Sequence, residues 1–124
     1  MKLYLSSYRV PNPEALFKLV GKDSGNISVA IIPNAKDYYS DYVKKLKNSE
    51  LLADLDEIGL SNCTTIDLND FSDNDTAELS SKLKQFDLIW VNGGNTFCLR
   101  YAMRQSGFDQ VIREVVESGV VYAG

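Results

Sequence analysis

The chain has 124 residues, of which 44% are hydrophobic and 24% are charged, and it contains 8 glycines and 3 prolines. This composition is typical of one globular domain and excludes disordered, collagen-like and low-complexity proteins. The net charge of −4 has the wrong sign for binding nucleic-acid phosphates or anionic lipid. No segment is apolar enough to span a membrane, and polar residues follow Leu5 too early for a signal peptide. We therefore expect a cytoplasmic protein without nucleic-acid or membrane partners.

Several common kinds of catalytic and metal site are disfavoured by the residues present. Histidine, the commonest general base and transition-metal ligand, is absent. Cys63 and Cys98 form no C-x-x-C motif and are predicted to be small buried hydrophobic residues. The acidic segment 67–75 does not have the spacing of a calcium-binding loop and is interpreted as a solvated loop. We expect neither a metal nor a cofactor.

Five apolar or β-branched runs alternate with segments of helical periodicity. The runs predict strands at 3–6, 27–32, 63–68, 86–91 and 120–122. Strands that alternate with helices indicate βαβ units and therefore a parallel sheet. We predict a single domain over residues 1–124, with an α/β fold that is a three-layer sandwich of flavodoxin type.

The predicted helices are placed by capping and turn residues. The first begins at Pro13, and two others have Asp37 and Asp109 as N-caps. A break at Asn48 and Ser49 interrupts the second helical segment, which ends at Gly59, and Gly107 ends the helix after the fourth strand. Three tyrosines near the second helix are interpreted as packing residues with hydrated hydroxyl groups, namely Tyr38, Tyr39 and Tyr42.

The turn at residues 92–95 is the strongest candidate for a binding site. In open α/β sheets, ligands bind at the carboxyl ends of strands. Gly93 and Gly94 allow a sharp turn and leave amide N–H groups uncovered, and the following helix adds the positive end of its dipole. These features suit an anion or a developing oxyanion. The alternative is a tight structural turn in which Asn95 or Thr96 caps the helix.

Serine residues also lie at this edge of the predicted sheet. Ser6 and Ser7 follow the first strand and are interpreted as a strand terminus with local hydrogen bonds. No serine of the chain stands in a G-x-S-x-G motif, and none can have a histidine base. The residues themselves therefore do not identify a nucleophile.

Three segments resemble the peptidase E family, the aspartyl dipeptidases and their cyanophycinase relatives. The sequence V-N-G-G-N-T-F at 91–97 resembles the family's G-G-N-T-F segment. The sequence A-I-I-P-N-A at 30–35 is similar to the family's I-P-x-A strand ending, and V-V-Y-A-G at 120–124 to the strand that enters its G-x-S-A-G nucleophile elbow. The resemblance implies a class I glutamine amidotransferase-like fold and hydrolysis of Asp-X dipeptides through an acyl-enzyme. It places Gly93, Gly94 and Asn95 in one half of the oxyanion hole, and it implies a small peptide as substrate.

The resemblance also predicts that the chain is an incomplete version of the family domain. In the family, the nucleophilic serine lies two residues beyond the glycine that matches Gly124, and the histidine comes later. We therefore expect the 124-residue polypeptide to be inactive alone. Two alternatives stay open: a non-catalytic remnant that serves as a binding or assembly module, and a flavodoxin-like binder of a phosphate-bearing ligand at Gly93 and Gly94. The second alternative lacks both the G-x-G-x-x-G and the P-loop lysine patterns.

The end of the chain leads to an expectation about association. If the fifth strand lies inside a larger sheet, ending at Gly124 leaves Val120, Val121 and Tyr122 beside an unpaired edge. Free strand edges and apolar patches promote association. We expect a homodimer, or a complex with a separately encoded C-terminal half, that forms through this side.

Overall fold

A five-stranded sheet with helices between its strands forms the molecule. The computed structural model describes residues 1–6 and 9–124. The strands are β1 (Leu3–Tyr4), β2 (Ser28–Ile32), β3 (Asn62–Thr65), β4 (Leu88–Val91) and β5 (Val121–Ala123). The helices are α1 (Pro13–Val20), α2 (Asp41–Glu57), α3 (Thr76–Leu83), α4 (Thr96–Ser106) and α5 (Phe108–Glu117). All strand pairs are parallel and their order is β1-β5-β4-β2-β3, which confirms the predicted α/β fold.

Both faces of the sheet are covered, so successive residues of one strand enter different hydrophobic cores. In β4, Leu88 and Trp90 pack in the core that contains buried leucines of α1 and α2. Ile89 and Val91 pack in the other core, which contains buried residues of α3, α4 and α5. Burial on both sides explains why β2 and β4 have nearly continuous apolar sequences instead of alternating ones.

The fifth strand lies inside the sheet, not at its edge. Leu3 pairs with Tyr122 on one side of β5, and Leu88 pairs with Val121 on the other. The expected unpaired edge beside Val121 is therefore wrong, because the N-terminal strand β1 occupies that side. Val121 is only 1% exposed. Within the described residues, the outer strands are β1 and β3.

The segment before α2 differs from the prediction. Asp37 is not the N-cap; residues Asn34–Lys36 form a 3₁₀ turn, and the Ser40 hydroxyl accepts a hydrogen bond from Val43 N–H at 3.4 Å. The expected break at Asn48 and Ser49 does not occur, since α2 runs continuously to Glu57.

Tertiary packing explains how α2 lies on the sheet. Leu51 and Leu55 are buried against it, which fixes the orientation of the helix. The same orientation leaves Tyr42 76% exposed, and Tyr38, which precedes the helix, is 52% exposed, so the predicted role of these two residues in packing is wrong. Ile58 is the C-cap, and Gly59 follows with φ = +95°.

The last two helices share one glycine. Gly107 ends α4 in the left-handed conformation, as predicted, with φ = +80°. It also directly precedes α5, so Asp109 lies in the first turn of α5 and is not its N-cap. The Ser106 hydroxyl accepts a hydrogen bond from Phe108 N–H at this junction. A connection of one residue leaves no room for a separate capping residue.

The remaining sequence expectations concern strand limits, cysteines and membrane spans. Each strand is shorter than predicted or displaced by one residue, as in the third strand, which ends at Thr65 before a 3₁₀ turn at Leu68–Asp70. Cys63 and Cys98 are free and half-buried, and burial raises the pKa of the Cys63 thiol. Among the helices described, none is long and apolar enough to cross a bilayer.

Candidate functional site

Two neighbouring strands send their following helices to opposite faces of the sheet. β2 and β4 are paired, but α2 packs on one face and α4 on the other. The two connections therefore leave the carboxyl edge toward opposite faces, which is the kind of position where open α/β sheets bind ligands. The turn Asn34–Lys36 follows β2, and the turn at 92–95 follows β4.

The turn after β4 approaches the turn after β2 closely. Gly94 has φ = +153°, and a Cβ atom at this position would lie 2.5 Å from the Ala35 carbonyl oxygen. Next to it, Asn95 N–H donates a hydrogen bond of 2.8 Å to that same oxygen. Glycine is required at position 94 because both the backbone angle and the contact exclude a side chain. The two turns are thus joined by a direct backbone hydrogen bond.

Asn95 has a structural role at the start of α4. Its side-chain oxygen accepts hydrogen bonds from Phe97 N–H at 2.9 Å and Cys98 N–H at 3.1 Å, which is N-cap geometry. Its own amide is engaged with Ala35. The expectation that the Asn95 amide is an oxyanion donor is therefore corrected, because that N–H group already has an acceptor. The capping role considered from the sequence is confirmed for Asn95.

Gly93 and Gly94 have the features expected of anion-binding amides. Both residues are exposed. Across residues 1–6 and 9–124, neither of their N–H groups donates to a backbone or side-chain acceptor. They border a cavity of about 280 Å³, close to the ~300 Å³ lower limit of common small-ligand pockets. The residues that line the cavity are Ser6, Arg9, Lys36, Trp90, Val91, Asn92, Gly93, Gly94 and Gly124.

Two basic side chains, Arg9 and Lys36, lie at this cavity, and neither was identified from the sequence. Arg9 Nε donates to Asp54 Oδ2 at 2.8 Å, and its Nη1 donates to Asn92 Oδ1 at 3.4 Å. Lys36 ends the 3₁₀ turn after β2. Their positions in the sequence could have identified them, because both residues follow strands that end at this edge of the sheet.

A buried polar network holds the turn after β2 in place. Asn34 is fully buried, and its Nδ2 donates to Asp37 Oδ2 and to Asp67 Oδ1, both at 2.9 Å. Lys44 forms an ion pair with Asp37. Burial raises the pKa of the Asp37 carboxyl, but hydrogen bonds from Lys44, Asn34 and Asn69 outweigh burial and lower it below its usual value. Asp37 is therefore an ionised structural group.

Ser6 and Asp67, which the sequence placed at this edge of the sheet and in the acidic segment, have structural partners. The Ser6 hydroxyl donates to the Arg9 carbonyl oxygen at 2.6 Å, so Ser6 makes the local hydrogen bond expected of a strand terminus. Ser7 lies outside the described residues. In the acidic segment, Asp67 accepts hydrogen bonds from Asn34 and from Asn69 N–H. Within the part of the chain described, no three His, Cys, Asp or Glu side chains are grouped to hold a metal ion.

Comparisons with known proteins show the family to which the chain belongs. The sequence model of peptidase family S51 matches residues 6–124. The chain belongs to peptidase family S51, the peptidase E family. An uncharacterized peptidase from Pasteurella multocida is 31% identical over 116 residues, which cover 88% of this chain and 51% of that protein. An uncharacterized peptidase from Bacillus subtilis is 39% identical over 49 residues, covering 40% of this chain and 21% of the relative.

Two solved structures share the fold. A protein from Listeria monocytogenes assigned to peptidase E has a TM-score of 0.72 and 26% identity, and it matches all of this chain over 58% of its own length. A peptidase from an acI-B1 actinobacterium has a TM-score of 0.66 and 21% identity, over 98% of this chain and 52% of its own. The S51 chain described here thus spans about half the length of these relatives.

Proposed function

We propose that this S51 chain supplies half of the oxyanion hole of a serine peptidase that hydrolyses Asp-X dipeptides. The observation that carries the proposal is the pair of exposed amides at Gly93 and Gly94, which have no acceptor in the described part of the chain and share a cavity with Gly124. Amides fixed in this way stabilise negative charge that develops on a carbonyl oxygen during acyl transfer. The Asp-X substrate and the acyl-enzyme follow from the family resemblance.

The position of Gly124 connects the turn to the expected nucleophile. Gly124 N–H donates to the Tyr4 carbonyl at 3.1 Å, and its carbonyl accepts from Ser6 N–H at 2.9 Å, so the end of β5 is held beside β1. A Cβ at Gly124 would lie 2.7 Å from the Val91 carbonyl oxygen, which shows how closely β5 approaches β4 there. In the family resembled, the serine stands two residues beyond this glycine. A serine at that place would follow the strand next to the Gly93–Gly94 turn.

The first test is an activity assay on the 124-residue polypeptide. We expect no hydrolysis of aspartyl dipeptides, because these residues contain no histidine and no G-x-S-x-G motif. Liquid chromatography of aspartyl-leucine incubated with the purified chain would measure free leucine. Turnover that a serine-directed inhibitor abolishes would show that a serine within these residues is the nucleophile and would contradict this assignment.

The second test reads the gene beyond the codon for Gly124. We expect a continuation of the type x-Ser-Ala-Gly and a later histidine codon. The alternative function is a non-catalytic binding or assembly module. A gene without downstream serine and histidine codons would support that alternative and contradict the peptidase proposal.

Association with a second copy or with a separate C-terminal half stays a proposal. An interface through the edge of β5 is excluded, because β1 pairs with that side. In the described chain, the strands with an unpaired side are β1 and β3. Light scattering over a concentration series measures the oligomeric state. A strictly monomeric protein at tens of micromolar would contradict a homodimer, because a dimer with a Kd of about 1 μM (about −8 kcal/mol) is mostly associated at that concentration.

A further inference from the structure

The lining of the cavity beside Gly93 and Gly94 is rich in hydrogen-bond donors. Among the described residues, those that line it include Arg9, Lys36 and Trp90 and contain no Asp or Glu. The chain as a whole has a net charge of −4, so a lining with two basic side chains and no acidic one contrasts with the rest of the molecule. A cavity lined in this way is suited to an anionic group.

The two basic side chains differ in how their charges are compensated. Arg9 is paired with Asp54 at 2.8 Å. Within residues 1–6 and 9–124, Lys36 forms no ion pair, and the neighbouring Asp37 is paired with Lys44 instead. Lys36 is therefore the lysine at this cavity whose charge is not already balanced.

The backbone of Lys36 is fixed in a way that suits a binding residue. Lys36 N–H donates to the Pro33 carbonyl at 2.9 Å, and the Lys36 carbonyl accepts from Tyr39 N–H at 3.0 Å. The preceding residue, Ala35, receives the Asn95 N–H bond that joins the two turns. The starting point of the Lys36 side chain is thus held relative to Gly93 and Gly94, which reduces the entropy lost on binding.

We propose that Lys36 is a specificity-determining residue that binds a carboxylate of the peptide substrate, with its ammonium group across the cavity from the amides of Gly93 and Gly94. This inference rests on the proposed function, which places the scissile carbonyl at those amides. Both the aspartyl side chain and the C-terminal carboxylate of an Asp-X dipeptide lie within a few bonds of that carbonyl. Lys36 would then favour acidic over neutral dipeptides of the same shape.

The test is a titration of the ¹⁵N-labelled 124-residue chain, followed by nuclear magnetic resonance. The probes are aspartyl-leucine, asparaginyl-leucine and aspartyl-leucinamide, which separate the two carboxylates. We expect the Gly93 and Gly94 amide signals to shift, and we expect Lys36→Gln to weaken aspartyl-leucine binding about tenfold. The matched control is Lys18→Gln, which removes the same charge from an exposed residue in the last turn of α1 and should leave binding unchanged.

The outcomes distinguish this inference from the function on which it rests. If Lys36→Gln loses the preference for aspartyl-leucine over asparaginyl-leucine, Lys36 binds the side-chain carboxylate; loss of the preference over aspartyl-leucinamide assigns the C-terminal carboxylate. Unchanged binding by Lys36→Gln, with Gly93 and Gly94 still shifting, overturns this inference and leaves the proposed function standing. Lys36-dependent binding without shifts at Gly93 and Gly94 contradicts the proposed oxyanion hole instead. Absence of binding by the unsubstituted chain overturns the inference.

Discussion

The turns after β2 and β4 lie side by side at one edge of the sheet, but their polar groups are used differently. In the turn after β2, the buried Asn34 side chain makes three hydrogen bonds, to Asp37, Asp67 and the amide of Leu68. In the turn after β4, the Gly93 and Gly94 amides are exposed and unpaired among the described residues. We call the turn after β2 the saturated turn, because the polar groups of Asn34 have partners. We call the turn at 92–95 the open turn, because the amides of Gly93 and Gly94 are available to a ligand.

The difference follows from solvent exposure. A buried polar group without a partner costs about 1–3 kcal/mol, whereas an exposed amide is hydrated and costs little until a ligand replaces the water. The open turn still needs a fixed position, which the saturated turn provides through the bond from Asn95 N–H to Ala35. The stability of the saturated turn therefore preserves the geometry of the open turn through this hydrogen bond.

Removal of the Asn34 side chain should have the largest effect on this pair of turns. Asn34→Ala leaves the Leu68 amide and two carboxylates without a buried partner, so we expect a loss of about 3 kcal/mol in the free energy of unfolding. Urea denaturation followed by Trp90 fluorescence measures it. Asn69→Ala, at an exposed residue of the same network, is the control and should cost less than about 1 kcal/mol. Equal losses in the two variants would contradict the central role of Asn34.

A matched pair of glycine substitutions separates the two halves of the open turn. Gly94→Ala forces a Cβ to within 2.5 Å of the Ala35 oxygen at φ = +153°, and we expect a loss of about 2 kcal/mol. Gly93→Ala meets nothing within 4 Å, so its stability should change by less than about 0.5 kcal/mol. Thermal unfolding of both variants checks this order. A Gly94→Ala protein as stable as the Gly93→Ala protein would show that the close approach of the two turns is wrong.

Acid should weaken the saturated turn and lower the free energy of unfolding by less than Asn34→Ala or Gly94→Ala. The pKa of Asp37 is lowered in the folded chain, because hydrogen bonds from Lys44, Asn34 and Asn69 outweigh the effect of burial. A lowered folded-state pKa contributes stability above the pKa of the unfolded chain, and this contribution is lost as the pH falls below about 4. Urea denaturation at several pH values should show a shallower loss for Asp37→Asn. The control is Asp73→Asn, at an exposed aspartate; if it flattens the profile equally, Asp37 is not the group responsible.

The sequence predicted the sheet and the open turn for identifiable reasons. Continuous apolar runs such as 27–32 and 86–91 correspond to strands buried on both faces, and the rule that ligands bind at carboxyl ends of strands selected Gly93 and Gly94. The predictions for Asp37 and Asn95 were wrong in part. Each residue has a side chain suited to more than one local role, and only the position of neighbouring residues decides which role is used.

Local patterns determined the fold class of this protein, because strand and helix periodicity and turn chemistry are encoded in neighbouring residues. Residues 91–97 also carried the resemblance to the peptidase E family. The tertiary structure alone decided that β1 covers the outer side of β5 and that Ala35 accepts the Asn95 amide. It also brought Lys36 and Trp90 to one cavity with Gly93. The pairing of β1 with β5, the bond from Asn95 to Ala35 and the placement of Lys36 beside Gly93 join residues more than 50 positions apart in the sequence. Such pairings depend on strand order and crossover direction, which no local pattern specifies.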